Sequence, residues 1–239
     1  MITSVIFDFG GTLDTDGIHW SEKFWDIYQR LDIPVAKKQC EAAYVAAERQ
    51  MANEPVAPSE TLLGTLRKQA FHQIQYLTSE RLLTLPEDAS DLTALIAGES
   101  YTDVLRVIDG AKTILATLRE RYNLSLVSNF TGNLDTVCRE LGIAGYFDIM
   151  IDSSVVGIAK PDPEIFRLAL SGMAAEPEEC VAIGDSYERD IVPAKSLGCR
   201  TVWLHGRSWK EPESVELADF TIHSIAELPD LFDGISHFR

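Results

Sequence analysis

Three things are scarce in this sequence, and each scarcity narrows what the chain can do. Long apolar runs are missing: none approaches the ~18 residues that a membrane-crossing helix needs, so no membrane span is expected. Positive charge is short, because 21 Lys and Arg stand against 37 Asp and Glu, for a formal net charge of −16. A chain this acidic is not drawn by charge to nucleic acid or to an anionic membrane, so neither partner is expected. An anionic substrate is not barred, since a local cluster of donors with a metal ion can hold one. Cysteine is sparse and unpatterned: Cys40, Cys138, Cys180 and Cys199 show no Cys-x-x-Cys spacing, which argues against a zinc site or a disulfide framework. Cys138 and Cys180 lie among apolar neighbours and read as small core residues. The N-terminus begins a strand, with no basic stretch followed by an apolar one, so no signal peptide is expected and a cytoplasmic setting follows.

What is present has the proportions of a globular protein, 46% hydrophobic and 24% charged, in 239 residues that suffice for one large or two small domains. The chain is organised around Ser4-Val-Ile-Phe-Asp-Phe-Gly-Gly-Thr-Leu-Asp14. The β-prone run Val5-Ile6-Phe7 drives straight into Asp8. A buried strand tolerates no charge, so Asp8 belongs at its carboxyl end, facing the crevice where open α/β sheets bind ligands. Gly10 and Gly11 allow a sharp turn with N–H groups free to point at an anion, and Thr12 adds a hydroxyl.

Residues 20 to about 100 then show helical spacing and almost no strand signal. Trp20, Phe24, Tyr28 and Leu31 recur at three to four, as do Leu62 or Leu63, Leu66, Ala70, Ile74 and Leu77. Ser59 reads as an N-cap, Pro86 as a first helical residue, and Pro55 and Pro58 as breaks, which gives about four helices. From about 104 strands and helices alternate. A helix from about 110 to 121 precedes a strand at Leu124–Val127. Further strands are expected at Tyr146–Ile151, Val181–Ile183, Thr201–Leu204 and Phe220–Ile222, with helices at 133–141, 163–171 and 188–197. This grammar predicts an α/β fold: a Rossmann-like parallel sheet core, residues 1–15 and 104–239, with an inserted helical cap, residues 16–103. Right-handed crossovers put the strand ends on one edge. A cap rooted beside Asp8 would sit over that edge as a lid.

Three more strand ends are polar. Ser128-Asn129 follows the second strand, Lys160 is pinned before Pro161 and a helix, and Gly184-Asp185 is followed five residues on by Asp190. Each has an ordinary reading: Ser-Asn is turn chemistry, a lone lysine is solvated, and an Asp near a helix start is a cap. Together they place an acid, a hydroxyl, a lysine and an acid pair at four ends of one sheet. Converging carboxylates repel and call for a cation, and a few hard oxygen ligands suit Mg²⁺.

On these residues the sequence resembles the haloacid dehalogenase superfamily of hydrolases, in the type whose helical lid follows the first motif. The likeness covers essentially the whole chain. It rests on Asp8-Phe9-Gly10-Gly11-Thr12-Leu13, Ser128-Asn129, Lys160-Pro161, and Gly184-Asp185 with Asp190. The run Gly157 to Phe166 is especially similar to lidded, phosphatase-like members. The resemblance implies that Asp8 is the nucleophile and takes a phosphoryl group as an aspartyl-phosphate. It implies that Ser128 and Lys160 hold the phosphate, with Gly11, Thr12 and Asn129 also in substrate binding. Mg²⁺ would be held by Asp8, the Gly10 carbonyl and Asp185, with Asp190 orienting the metal shell or Lys160. The expected activity is a Mg²⁺-dependent phosphohydrolase of small phosphorylated metabolites.

One position departs from that pattern. Phosphatases of the superfamily usually carry a second aspartate two residues after the nucleophile, to protonate the leaving alcohol and later activate water; here that residue is Gly10. Such acid–base help is worth ~10²–10⁴-fold. The departure implies a slow phosphatase, a substitute acid, or a leaving group that needs no proton. Asp14, Asp16 and His19 are near enough in sequence to substitute, though they also read as cap and turn residues. It also leaves open a phosphate-binding protein with weak or no catalysis, a phosphonate cleaver that would need a lid lysine such as Lys23, Lys37, Lys38 or Lys68, and a haloacid dehalogenase, against which Asp185 speaks. Trp20, Trp25, Tyr28 and His19 are placed to touch substrate, although lid core is their simpler assignment.

Overall fold

The computed structural model describes residues 1–54, 56–84, 90–210, 212 and 215–235. The expectations at Pro55 and Pro86 lie outside these residues.

Six strands form one sheet: β1 (Ser4–Phe7), β2 (Asn123–Ser128), β3 (Ile149–Asp152), β4 (Cys180–Gly184), β5 (Arg200–Leu204) and β6 (Phe220–Ile222). Their order is β3-β2-β1-β4-β5-β6 and every neighbouring pair is parallel. Such a sheet is covered on both faces, and its central strands read as unbroken apolar runs for that reason. All of β1 is buried. Side chains alternate across it: Val5 and Phe7 join the apolar cluster on one face, and Ile6 joins the one on the other. The first face is covered by α4 (Ser90–Arg119), α5 (Leu134–Glu140) and α9 (Leu228–Ile235), through residues such as Ile108, Leu115, Val137 and Phe232. The second is covered by α7 (Glu164–Met173) and α8 (Val192–Leu197), through Ile165, Phe166, Ala169 and Ala194. A single turn of helix, α6 (Ser153–Val156), follows β3.

The chain builds β1, β2 and β3 outward in one direction, then returns to the other side of β1 for β4 to β6. Strand order therefore reverses at β1 and β4, which opens a crevice at their carboxyl ends. Register fixes what meets there. Phe7 lies opposite Leu126 on one side and Ile183 on the other, so the residues that follow leave the sheet side by side. The Asp8 N–H donates to the Ile183 carbonyl at 2.9 Å.

The helical block comprises α1 (Trp20–Arg30), α2 (Lys37–Asn53), α3 (Leu62–Ser79) and the first half of α4, packed on one another. Asp103 on α4 ties α1 down. It accepts both guanidinium N–H groups of Arg30, at 3.1 and 3.0 Å, and pairs with Lys23 at 3.0 Å. Burial works to raise the Asp103 carboxyl, but these cations outweigh it and hold it below the usual range.

Several boundaries differ from expectation. The helix expected from about 110 is the second half of the unbroken α4, so position 103/104 falls inside a helix. Val104, Ile108, Ala111 and Leu115 keep one apolar face buried, and that packing outweighs the weak helix preference of Gly110. Ser59 is not the cap of α3. Thr61 is, with its hydroxyl accepting the Gly64 N–H at 3.1 Å. The strand expected from Tyr146 starts at Ile149, after a tight turn at Ala144–Tyr146. In place of a helix from 188, a wide turn at Tyr187–Ile191 precedes α8. Among the described residues no helix is long and apolar enough to cross a membrane.

Candidate active site

Asp8 leaves β1 buried, and Lys160 reaches it from the loop before α7. Lys160 Nζ stands 2.5 Å from Asp8 Oδ1 and 2.6 Å from Asp190 Oδ1. All three side chains are almost fully buried, the lysine at 3% exposure. Asp190 Oδ2 also accepts the Ser186 N–H at 3.0 Å, which folds the loop after β4 back on itself. Asp185 enters from the same loop, with its carbonyl held by the Trp203 indole N–H at 2.9 Å. Asp8, Asp185 and Asp190 each offer a carboxylate oxygen, all within 4.8 Å of one another. The acid, lysine and acid pair read from separate strand ends therefore do converge, and Ser128 lines the same cavity.

Three carboxylates share one ammonium here, so the cluster carries surplus negative charge. Burial, reinforced by Asp8 and Asp190, pushes the Asp185 carboxyl well above its ordinary range. Burial pushes Asp190 up to about 6, even though Lys160 pulls it down. Lys160 is held above its ordinary value: burial lowers it, but Asp190 and Asp8 together win. Surplus charge, hard oxygen donors and close spacing make a donor set that fits a small divalent cation.

Three of the residues expected to bind substrate have other partners. The Gly11 N–H, expected to face an anion, donates instead to Asp14 Oδ1 at 2.7 Å. Gly11 takes φ +98°, and a Cβ there would overlap the Asp185 carboxylate, so the position demands glycine for its turn and for a close approach. Thr12 is fully buried. Its hydroxyl lies 3.1 Å from Asp8 Oδ2 and 3.2 Å from Asp185 Oδ1, and accepts the Asp185 N–H at 3.1 Å. It bridges the two carboxylates rather than meeting a substrate. Asn129 accepts the Lys160 N–H at 2.8 Å and donates to the Lys160 carbonyl at 2.9 Å, so both ends of its amide position the lysine loop.

The three residues near the vacant acid position also separate. Asp16 accepts Ser224 Oγ and the Ile225 N–H, both at 2.8 Å, and serves the turn it was read to serve. His19 caps α1 by accepting the Ser21 N–H at 3.2 Å; burial, and behind it Arg189, pushes it down to about 4. Asp14 faces the cavity with Asp8, Gly10 and Trp20. Tyr28 is core of the helical block, its hydroxyl donating to Gln73 Oε1 at 3.1 Å.

The cavity, about 620 Å³, has strand-end residues as its floor and α1, α2 and α3 as its wall, through Trp20, Tyr44, Glu48, Leu66 and Gln69. Past Glu48 and Arg189 it meets a second chamber of about 460 Å³ lined by Trp203, His205 and Trp209. Sequence reading missed Glu48 and Arg189, because nothing local marks which face of α2 or of the loop turns inward. It also missed Asp152. That carboxylate accepts the Ser154, Gly132 and Leu134 N–H groups and so shapes the loop that follows Ser128; its place at a strand end was a usable signal.

Comparison with known proteins agrees with this geometry. The family model for haloacid dehalogenase-like hydrolases matches residues 2–198. Glyceraldehyde 3-phosphate phosphatase of Methanocaldococcus jannaschii is 42% identical over 95 residues, 40% of this chain and 42% of that protein. Phosphoserine phosphatase of Thermus thermophilus is 36% identical over 110 residues, 44% of this chain and 43% of that protein. The chain thus spans less than half the length of these two relatives. The crystal structure of a 2-haloacid dehalogenase from Pseudomonas syringae shares the fold, with a TM-score of 0.55 at 24% identity over 98% of this chain and 100% of the other. With a parallel sheet, a strand-end aspartate, a lysine and an acid pair converging under helices, and a family match over most of its length, the chain belongs to the haloacid dehalogenase-like hydrolases.

Proposed function

We propose that this chain is a Mg²⁺-dependent phosphohydrolase of small phosphorylated metabolites, working through an aspartyl-phosphate on Asp8. The observation that carries the reading is the buried cluster of Asp8, Asp185 and Asp190 around Lys160, at the floor of an open cavity. Asp8, the Gly10 carbonyl and Asp185 would hold the metal, with Asp190 holding Lys160 in place. The ion, when bound, offsets negative charge on Asp8 and on the phosphate.

The rest follows from the chain's own groups. An Asp8 oxygen attacks phosphorus, the bond to the leaving oxygen breaks, and the phosphoryl group rests on Asp8. Lys160 has three N–H donors and spends two on Asp8 and Asp190, which leaves one for a phosphate oxygen. Ser128 lines the same cavity, where its hydroxyl would be a second donor to the phosphate. Water then cleaves the acyl phosphate and frees Asp8. Residues 16–103 act as a lid that keeps water out during the first step and admits it for the second. Both phosphatase relatives named above are named for small phosphorylated compounds, which supports that substrate class.

The test is a panel of phosphomonoesters assayed with Mg²⁺ and with EDTA. Turnover that requires Mg²⁺ and vanishes in Asp8→Asn supports the reading, and no turnover across the panel overturns it. Gly10 favours a second reading, a phosphate-binding protein without efficient catalysis. That protein would melt higher with Mg²⁺ and fluoroberyllate yet turn over nothing. Chloride or fluoride release from a 2-haloacid without Mg²⁺ would instead mark a dehalogenase, which the Asp185–Asp190 pair disfavours.

A further inference from the structure

We propose that Asp14, held by Trp20, is the proton donor and acceptor on the leaving-group side of Asp8, in the role that Gly10 lacks the side chain to fill. This rests on the phosphohydrolase reading and deepens it. Gly10 has φ −78° and ψ 113°, and a Cβ built on it would point at Trp20, meeting Cδ1 and Nε1 at 3.8 Å. That is ordinary contact distance, so the Trp20 indole borders the space a side chain at position 10 would use. The indole N–H donates to Asp14 Oδ2 at 2.8 Å, and the Gly11 N–H donates to Asp14 Oδ1 at 2.7 Å. Asp14 is only 2% exposed, yet it lines the cavity that holds Asp8, Ser128 and Lys160.

The two N–H groups suit a carboxyl that must change charge in each half of the reaction. As Asp8 bonds to phosphorus, the phosphorus–oxygen bond breaks and the proton on Asp14 passes to the leaving oxygen. The carboxylate left behind is then stabilised by the indole and Gly11 N–H groups. In the second half Asp14 takes a proton from the water that attacks the phosphoryl group, the bond to Asp8 breaks, and the starting state returns. No other reactant is needed. The environment permits the protonated form at neutral pH: burial raises Asp14 to about 7, the Gly11 and Trp20 N–H groups lower it, and Asp8 adds repulsion. Asp185, from the loop after β4, and Tyr44, from α2, whose hydroxyl burial keeps neutral, also interact with its charge. Asp16 does not line this cavity and instead accepts Ser224 Oγ and the Ile225 N–H. His19 does line it, but burial, and behind it Arg189, pushes it down to about 4, so it holds no proton to give near neutral pH.

The test compares kcat/KM of Asp14→Asn with that of the unaltered protein, with Mg²⁺, on glycerol phosphate and on p-nitrophenyl phosphate. The alkoxide leaves poorly without a proton, and nitrophenolate leaves readily. The expected loss on glycerol phosphate is ~10²–10⁴-fold, at least tenfold larger than the loss on the nitrophenyl ester. A burst of nitrophenolate should precede a slow steady state, because the second half also lacks its base. Gly10→Asp added to Asp14→Asn should recover the alkyl activity. Equal losses on both esters, with no burst, would overturn the proposal and leave the phosphohydrolase reading intact. Absence of turnover by the unaltered protein would overturn both. If Asp14→Asn does not fold, Trp20→Phe decides. Losing the indole N–H should move the upper limb of the pH profile on glycerol phosphate to higher pH, and an unmoved limb refutes the assignment.

Discussion

Replacing Lys160 by Met is the sharpest perturbation of the cluster. The side chain is nearly isosteric, but it removes the ammonium 2.5 Å from Asp8 and 2.6 Å from Asp190. Two unit charges ~4 Å apart attract by ~4 kcal/mol at an effective dielectric near ~20. Breaking a buried pair by deleting one partner leaves the other charge uncompensated, at ~3–5 kcal/mol. Here one deletion strands two carboxylates. The variant can recover part of the loss by protonating one of them, so the loss depends on pH. A carboxyl raised in the folded state stabilises that state below its ordinary pKa, and the contribution fades as pH climbs through the raised value. Lys160→Met should therefore lose ~3–5 kcal/mol at pH 8 and clearly less at pH 5. Urea unfolding in EDTA at both pH values measures this. A loss under ~1 kcal/mol at pH 8, or the same loss at both, would refute the reasoning, because a buried ion pair cannot be removed so cheaply.

Three further outcomes are expected. Asn129→Ala removes both hydrogen bonds that hold the Lys160 main chain, at ~1–3 kcal/mol of stability; thermal unfolding checks the first effect, and phosphate affinity should fall in parallel. Asn133→Ala removes the bonds from Asn133 Nδ2 to the Glu60 carbonyl at 2.9 Å and to Thr65 Oγ1 at 2.8 Å, which latch the helical block to the loop after β2; hydrogen exchange at 56–66 should quicken while the sheet stays protected. Asp190 is raised to about 6, Asp14 to about 7 and Asp185 upward as well, each from 3.8, so the metal-free protein should melt lower at pH 8 than at pH 5; added Mg²⁺ should raise the melting temperature more at pH 8, and an equal rise at both would refute the sign.

Residue types at strand ends were legible in the sequence because a strand announces itself. Val5-Ile6-Phe7 can only be interior, so Asp8 had to be its exit, and the same logic placed Asp185 after Val181–Ile183. The direction of a polar group was not legible. Thr12 and Gly11 belong to the motif, yet the Thr12 hydroxyl turns to Asp185, a partner set by how β1 and β4 sit side by side, and the Gly11 N–H turns to Asp14 within its own turn. Asn129 looked like a ligand because it follows Ser128; its amide fits the Lys160 main chain, 31 residues away. The run of α4 through Gly110 was equally hidden, since local helix preference says little about a face buried by distant residues.

These second contacts explain how loops from separate strands can share one site to within an ångström or so. Thr12 joins the β1 loop to the β4 loop, Asp190 joins the β4 loop to Lys160, and Asn129 joins Lys160 to the β2 loop. Phe9 packs edge-on against Phe130, 5.6 Å between centroids, and closes the circuit from β2 back to β1. Each loop is thus located by its neighbours as well as by its own strand. Residues linked this way should couple energetically. In a double-mutant cycle, Thr12→Val and Asn129→Ala share no direct contact, and independent sites would give additive losses in stability. The circuit instead predicts a double variant that loses less than the sum, because the first break already frees the lysine loop that the second would release.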